Sequence, residues 1–348
     1  MRLLNIILAD IAYAAETTPD IGGVDTEKLD PMILLVIAAA LMVVTIVLAV
    51  CLILSKRREM SAASGAVSAT AREIKGVSIG KLHEQGAREY QQDCFAVSDT
   101  ALMSDRGILA VIADGMGGLS DGDKVSKTIV EAVLDGFMEL PGQATHEQEL
   151  LALTGRAMTA VDRLLGPNGY QRSGSTLIMG LFRGRGFSFV SVGDSRICLF
   201  RDGELMQLNR EHIYKNELIL RAVNGEQTLG SVYSDKKGSG LTSFVGMGKL
   251  KHIDMPASPI TVRPGDKLVL MSDGIYNAMS TSELTDALSA PAQDAADAIR
   301  SIITQKNYQN QDNYTGVIIE CLAEAQAPVS KPLANEQAAV PNTLEPEN

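Results

Sequence analysis

Four aspartates, each inside its own short signature, carry the chemistry this sequence can do. Asp114 lies in Ala113-Asp114-Gly115-Met116-Gly117-Gly118 and Asp194 in Val192-Gly193-Asp194-Ser195-Arg196. Asp273 lies in Met271-Ser272-Asp273-Gly274 and Asp312 in Asp312-Asn313-Tyr314-Thr315. The first three follow apolar runs of strand composition, 108–113, 187–192 and 268–271. A carboxylate at a strand end, beside glycine or another turn former, stands at the rim of a sheet. Several such rims brought together make a pocket of hard oxygen ligands, which suits Mg2+ or Mn2+ and not zinc or copper. One Asp-Gly is an ordinary turn; four signatures in series define a site.

The elements that must position them are mostly strands. Strand composition covers 175–182, 187–192, 196–200, 204–208, 267–271 and 316–321. Asp202-Gly203 between two of these runs is a hairpin signal. Apolar stripes at helical spacing predict amphipathic helices over 124–140 and 146–165. Two more helices are predicted at 281–288, where Ser280 and Glu283 make a capping box, and at 291–305. Strict strand–helix alternation is missing, so the fold class is α+β with antiparallel sheets.

Composition narrows the function further. The net charge of −11 argues against general affinity for nucleic acid, and 4% aromatics with no Trp argues against base or sugar stacking platforms. Cys51, Cys94, Cys198 and Cys321 have neither CxxC nor metal spacing and are expected as reduced, mostly buried thiols. The four histidines, also without ligand spacing, are expected at the surface.

Residues 32–54 carry no charge and reach about 34 Å as a helix, against a bilayer core of about 30 Å. Acidic residues precede this span, and Lys56, Arg57 and Arg58 follow it. The positive-inside rule then places the C-terminal bulk in the cytoplasm, with the chain crossing the inner membrane once. Residues 1–15 have the make-up of a secretory signal peptide interrupted by Asp10, and 16–31 form a short extracytoplasmic segment. A Gly/Ala/Ser-rich tether at 55–72 leads to a globular unit over 73–323, and the Pro-bearing tail 324–348 reads as disordered.

Upstream of the first acidic signature stands Gly86-Ala87-Arg88-Glu89-Tyr90-Gln91-Gln92-Asp93. In order, GxRxxxQD, ADGMGG, SGST at 173–176, VGDSR, LTSFVG at 241–246, SDG and DNYT resemble the signature blocks of bacterial metal-dependent type 2C (PPM) protein Ser/Thr phosphatases. The resemblance runs from about residue 86 to 315. It implies a four-layer α-β-β-α sandwich of two antiparallel sheets flanked by helices, preceded here by one transmembrane helix. It also implies two Mn2+ or Mg2+ ions in the cleft, a third weaker site, and hydrolysis of phosphoserine and phosphothreonine by a metal-activated water.

Matched residue by residue, Asp114 is the carboxylate bridging both cations and Gly115 a carbonyl ligand of one; Asp273 and Asp312 are ligands of the other. Asp93 matches an acidic residue that holds metal-bound water, and Asp194 a ligand of the third cation. Arg88 matches the arginine that grips the substrate phosphate; since a guanidinium cannot ligate a cation, replacing it is expected to leave metal affinity almost unchanged. The partners implied are phosphorylated proteins, among them a membrane Ser/Thr kinase or its substrates. The sequence departs from the family pattern at Leu119, where bacterial members often have His, and at Glu211, where Asp is usual. The alternative function is a catalytically weak binding or sensing module, whose usual mark is a lost metal carboxylate; all of them are present.

Overall fold

Strand β3 (Ile108–Met116) shows how the core is built. Ile108, Ala110 and Ile112 face one way, Leu109, Val111 and Ala113 the other, and all six are buried. A strand apolar on both faces has to lie between two packed layers. The computed structural model describes residues 73–116, 121–140, 144–166, 169 and 172–323, and shows those layers.

One sheet has the order β1 (Gly76–Glu84), β11 (Tyr314–Leu322), β10 (Lys267–Met271), β7 (Arg196–Arg201), β8 (Glu204–Gln207). The other runs β2 (Asp93–Val97), β3, β5 (Leu177–Arg183), β6 (Gly186–Val192), β9 (Ile260–Thr261), with the short β4 (Gly174–Ser175) also on β3. Every pairing is antiparallel. The sheets meet through alternate residues, including Ile112, Ile178, Phe187, Leu270, Val317 and Ile319.

Outside the β3 sheet lie α1 (Gly122–Glu139) and α2 (His146–Leu165), which bury Val125, Ile129, Val133 and Phe137 with Leu150, Leu153 and Val161. Truncating a core ring such as Phe137 to Ala removes about 3–5 kcal/mol. Outside the β10 sheet lie α6 (Thr281–Leu288) and α7 (Ala292–Lys306), seated through Leu284, Leu288, Ala295, Ile299 and Ile303. The expected α+β fold of two antiparallel sheets with helices outside each is therefore observed. Ser280 and Glu283 form the predicted capping box, and Asp202 and Gly203 (φ 55° and 81°) turn the β7–β8 hairpin.

The differences have local causes. β3 runs three residues beyond the apolar stretch because Asp114 pairs with Asp93, and Gly115 and Met116 pair with β4. Asp114 therefore sits inside a strand and not after it. β1 was not predicted: it is an edge strand, only half buried and interrupted by Gly80, whose missing Cβ admits the backbone of Ala292. Two further helices, α3 (Tyr214–Val223) and α4 (Leu229–Ser234), form a flap after β8, and a one-turn α5 (Asp273–Tyr276) follows β10.

Among the described residues no helix is long and apolar enough to cross a membrane. The expected span 32–54, the segments 1–15, 16–31 and 55–72, and the tail 324–348 lie outside the described residues. The three described cysteines are free thiols; Cys198 and Cys321 are buried and Cys94 partly so.

Candidate active site

A cavity of about 330 Å³ opens where the ends of β3 and β10 meet the loops before β2 and β11. Arg88, Asp114, Gly115, Asp194, Asp273 and Asp312 all line it. These are six of the seven residues singled out in the sequence. Asp93 lies behind the wall, buried, and offers Oδ2 to the Ser272 hydroxyl at 2.7 Å.

The segments that carry these carboxylates are held by neutral groups from distant parts of the chain. The Asp114 N–H donates to Thr176 Oγ1 (3.0 Å), and its carbonyl accepts from Thr176 N–H (2.9 Å) and the Ser175 hydroxyl (2.8 Å). Thr315 N–H donates to Ser272 Oγ, and Ser272 N–H donates to the Thr315 carbonyl, both at 2.9 Å; this ties the segment of Asp273 to that of Asp312. Asn313 is buried and organises the loop bearing Arg88: its Oδ1 accepts from Gln92 N–H, and its Nδ2 donates to the carbonyls of Gln85 and Tyr90.

Two glycines are required by close approach. A Cβ on Gly115 would stand 2.2 Å from the Gly122 carbonyl oxygen, and one on Gly274 would stand 2.1 Å from that of Asn313. Asp194 sits on a turn opened by Gly193 (φ 108°), whose N–H donates to His212 Nδ1 at 3.1 Å. Tyr276 caps this turn by donating its hydroxyl to the Asp194 carbonyl at 3.1 Å.

The histidine expectation needs correction. His212 is buried, and burial lowers it to about 4, so it accepts the Gly193 proton as a neutral ring. Nothing in the residue spacing signalled this, because its partner is 19 positions away on a different element. The roles of Thr176, Ser272 and Asn313 were missed likewise; their only sequence signal is membership of the SGST, SDG and DNYT blocks.

The electrostatics are those of crowded acids. Burial first, then the charges of Asp93, Asp273, Asp194 and Asp312, hold the Asp114 carboxyl well above the usual range. Asp273 is pushed up to about 7 by burial and by Asp194, Asp312 and Asp93, with Arg88 pulling the other way. Burial raises Asp194 to about 6 and, with Asp312 adding to it, Asp93 likewise. Arg88 supplies one compensating charge, its Nη2 lying 2.7 Å from Asp312 Oδ2.

Residues 79–307, about two thirds of the chain, match the family model described as protein phosphatase 2C. The chain belongs to that family. It is a protein Ser/Thr phosphatase of the metal-dependent PPM class. The type 2C chain is 25% identical over 223 residues to the serine/threonine phosphatase stp of Listeria welshimeri, covering 62% of this chain and 85% of the relative. It is 27% identical over 243 residues to the serine/threonine protein phosphatase PstP of Mycobacterium tuberculosis, covering 68% of this chain but 46% of that one. The solved catalytic domain of a PstP, which holds two manganese ions, superposes with a TM-score of 0.55 at 23% identity, over 71% of this chain and 99% of that one.

The residues of this type 2C site fit such a metal pair. Asp93 Oδ1 and Asp273 Oδ1 are buried without a hydrogen-bond partner among the described residues. An anionic oxygen left so is costly, and a divalent cation would satisfy it. No three His, Cys, Asp or Glu side chains among the described residues already converge on one ligating point.

Proposed function

We propose that this chain is a membrane-anchored phosphatase that hydrolyses phosphoserine and phosphothreonine in proteins on the cytoplasmic side. The observation that supports it is the convergence of Arg88 with four aspartates and Gly115, from five separate segments, on one cavity. Asp114, Gly115, Asp273 and Asp312 would hold two Mn2+ or Mg2+ ions, and Asp194 would help to hold a third. When bound, such a pair neutralises phosphoryl oxygens and acidifies water for in-line attack.

The protein's own part is positional. Arg88 offers a planar, permanently charged fork that matches a phosphate edge. Asp93, fixed by Ser272, orients water from behind the cavity wall. Met116 and Leu241 supply apolar wall beside the phosphoryl group. The uncharged run 32–54 supports anchoring, and phosphorylated proteins at the same membrane, a Ser/Thr kinase included, are the substrates proposed.

The test is hydrolysis of p-nitrophenyl phosphate and a phosphothreonine peptide by the full chain in detergent, with and without Mn2+. Activity should vanish after EDTA treatment and in Asp114→Asn and Asp273→Asn. Retained turnover in either variant would falsify the assignment of the centre.

A further inference from the structure

A second cavity, of about 380 Å³, adjoins the catalytic one and shares Asp312 with it. Its character is different. Asp312 is its only formally charged residue, and Asn277, Gln309, Asn310 and Gln311 line it with four carboxamides beside Tyr308. α7 ends at Asn307 in the left-handed region (φ 47°), and Gln311 N–H closes a turn onto the Tyr308 carbonyl at 3.1 Å. This turn is fastened on two sides. Gln311 Nε2 donates to the Gly274 carbonyl at 2.9 Å, and the Gln311 carbonyl accepts from Ala87 N–H at 2.8 Å, next to Arg88.

The fastened amides leave others free. Among the described residues the side chains of Gln309 and Asn310 have no hydrogen-bond partner; both are exposed, and Tyr308 is 49% exposed beside them. A carboxamide both donates and accepts, which is the pattern that peptide N–H and C=O groups present. Tyr308 adds a flat face with little rotamer freedom to lose.

Building on the phosphatase reading above, we propose that the Tyr308–Gln311 turn is a substrate subsite. It binds the extended backbone and an uncharged side chain of the polypeptide flanking the phosphoresidue. The substrate class is then a phosphorylated segment in extended form, neutral on the side that runs over this turn. The phosphate itself stays at Arg88, in the adjoining cavity across the shared Asp312.

The experiment compares steady-state kinetics on a phosphothreonine peptide of about ten residues with those on p-nitrophenyl phosphate, which has no flanking chain. In the full-length protein, Gln309→Ala/Asn310→Ala should raise KM for the peptide about tenfold, as expected for a few lost hydrogen bonds, while the two kcat values keep their ratio. Tyr308→Ala should act in the same direction. The charge-only variant Gln309→Glu/Asn310→Asp, which keeps shape, should shift preference towards peptides with Lys beside the phosphoresidue. A peptide KM within twofold of wild type in all variants, or equal KM shifts on both substrates, overturns the subsite. Wild-type protein that cleaves p-nitrophenyl phosphate but no phosphopeptide overturns the functional reading beneath it.

Discussion

Replacing Arg88 with Ala should tighten Mn2+ binding while weakening phosphopeptide binding. From residue type alone the replacement leaves metal affinity untouched, since guanidinium is no ligand. The structure changes that expectation, because Arg88 Nη2 lies 2.7 Å from Asp312 Oδ2, one of the proposed metal ligands. A cation drawn to Asp312 has to displace this contact or share the carboxylate with it. The two side chains are 56% and 36% exposed, so water screens the pair strongly. Exposed pairs contribute about 0.2–1 kcal/mol, which corresponds to about a 1.5- to 5-fold gain in Mn2+ affinity once the arginine is gone. Repulsion between guanidinium and the incoming cation has the same sign. Calorimetric titration of EDTA-stripped wild type, Arg88→Ala and Arg88→Lys with MnCl2, without phosphate, measures the effect. Arg88→Lys should fall between the other two, and KM for a phosphothreonine peptide should rise in both variants. Weaker Mn2+ binding in Arg88→Ala than in wild type would refute the competition argument.

Three further expectations rest on separate features. The carboxyls of Asp273, near 7, and of Asp93 and Asp194, near 6, keep protons in the native state that the unfolded chain releases above about 4. The stability they give the metal-free protein is thus lost as pH rises through that window, while neutral His212 acts oppositely, its contribution being lost as pH falls towards about 4. Cations bind the deprotonated carboxylates, so the rise in Tm produced by Mn2+ over EDTA should grow from pH 5 to pH 7.5, and subtraction cancels His212; a rise that is flat in pH contradicts the cluster. Gly274→Ala should destabilise the fold by about 1–3 kcal/mol in a thermal melt, because its Cβ would meet the Asn313 carbonyl at 2.1 Å; an unchanged Tm would show that backbone to be freer than drawn. Green fluorescent protein fused after Asn348 should fluoresce and alkaline phosphatase fused there should be inactive, given Lys56, Arg57 and Arg58 behind the 32–54 span; the reverse pair of results places the site outside.

What was legible in the sequence was whatever is written locally. The capping box at Ser280 and Glu283, the Asp202-Gly203 turn and the stripes of α1 and α2 depend on spacings of a few residues, and each appears where expected. β2 escaped notice for the opposite reason: its membership of the sheet comes from pairing with β3, Asp93 opposite Asp114, and not from its own five residues. The flap helices α3 and α4 are short and bury one residue each, Leu218 and Val232, so their periodicity is faint.

The candidate site divides along the same line. Its charged members were visible because carboxylates beside glycines are conspicuous, whereas most of the groups that hold their segments are neutral and reach across the chain. Asn313 bonds Gln92 across 221 positions, and Ser272 bonds Asp93 across 179. Those bonds also run close together: Asp93 to Ser272, Ser272 to Thr315, and Asn313, two residues before Thr315, back to the loop of Arg88. A change at Ser272 therefore acts on Asp93 and the segment of Thr315, and a change at Asn313 acts on the loop of Arg88 beside Asp312. Residues joined in one network do not contribute additively, so Ser272→Ala combined with Asn313→Ala should cost less than the two single losses summed. The acidic signatures read as four separate marks in the sequence, but the uncharged Ser272 and Asn313 join the segments of Asp273 and Asp312 to Asp93 and to the loop of Arg88.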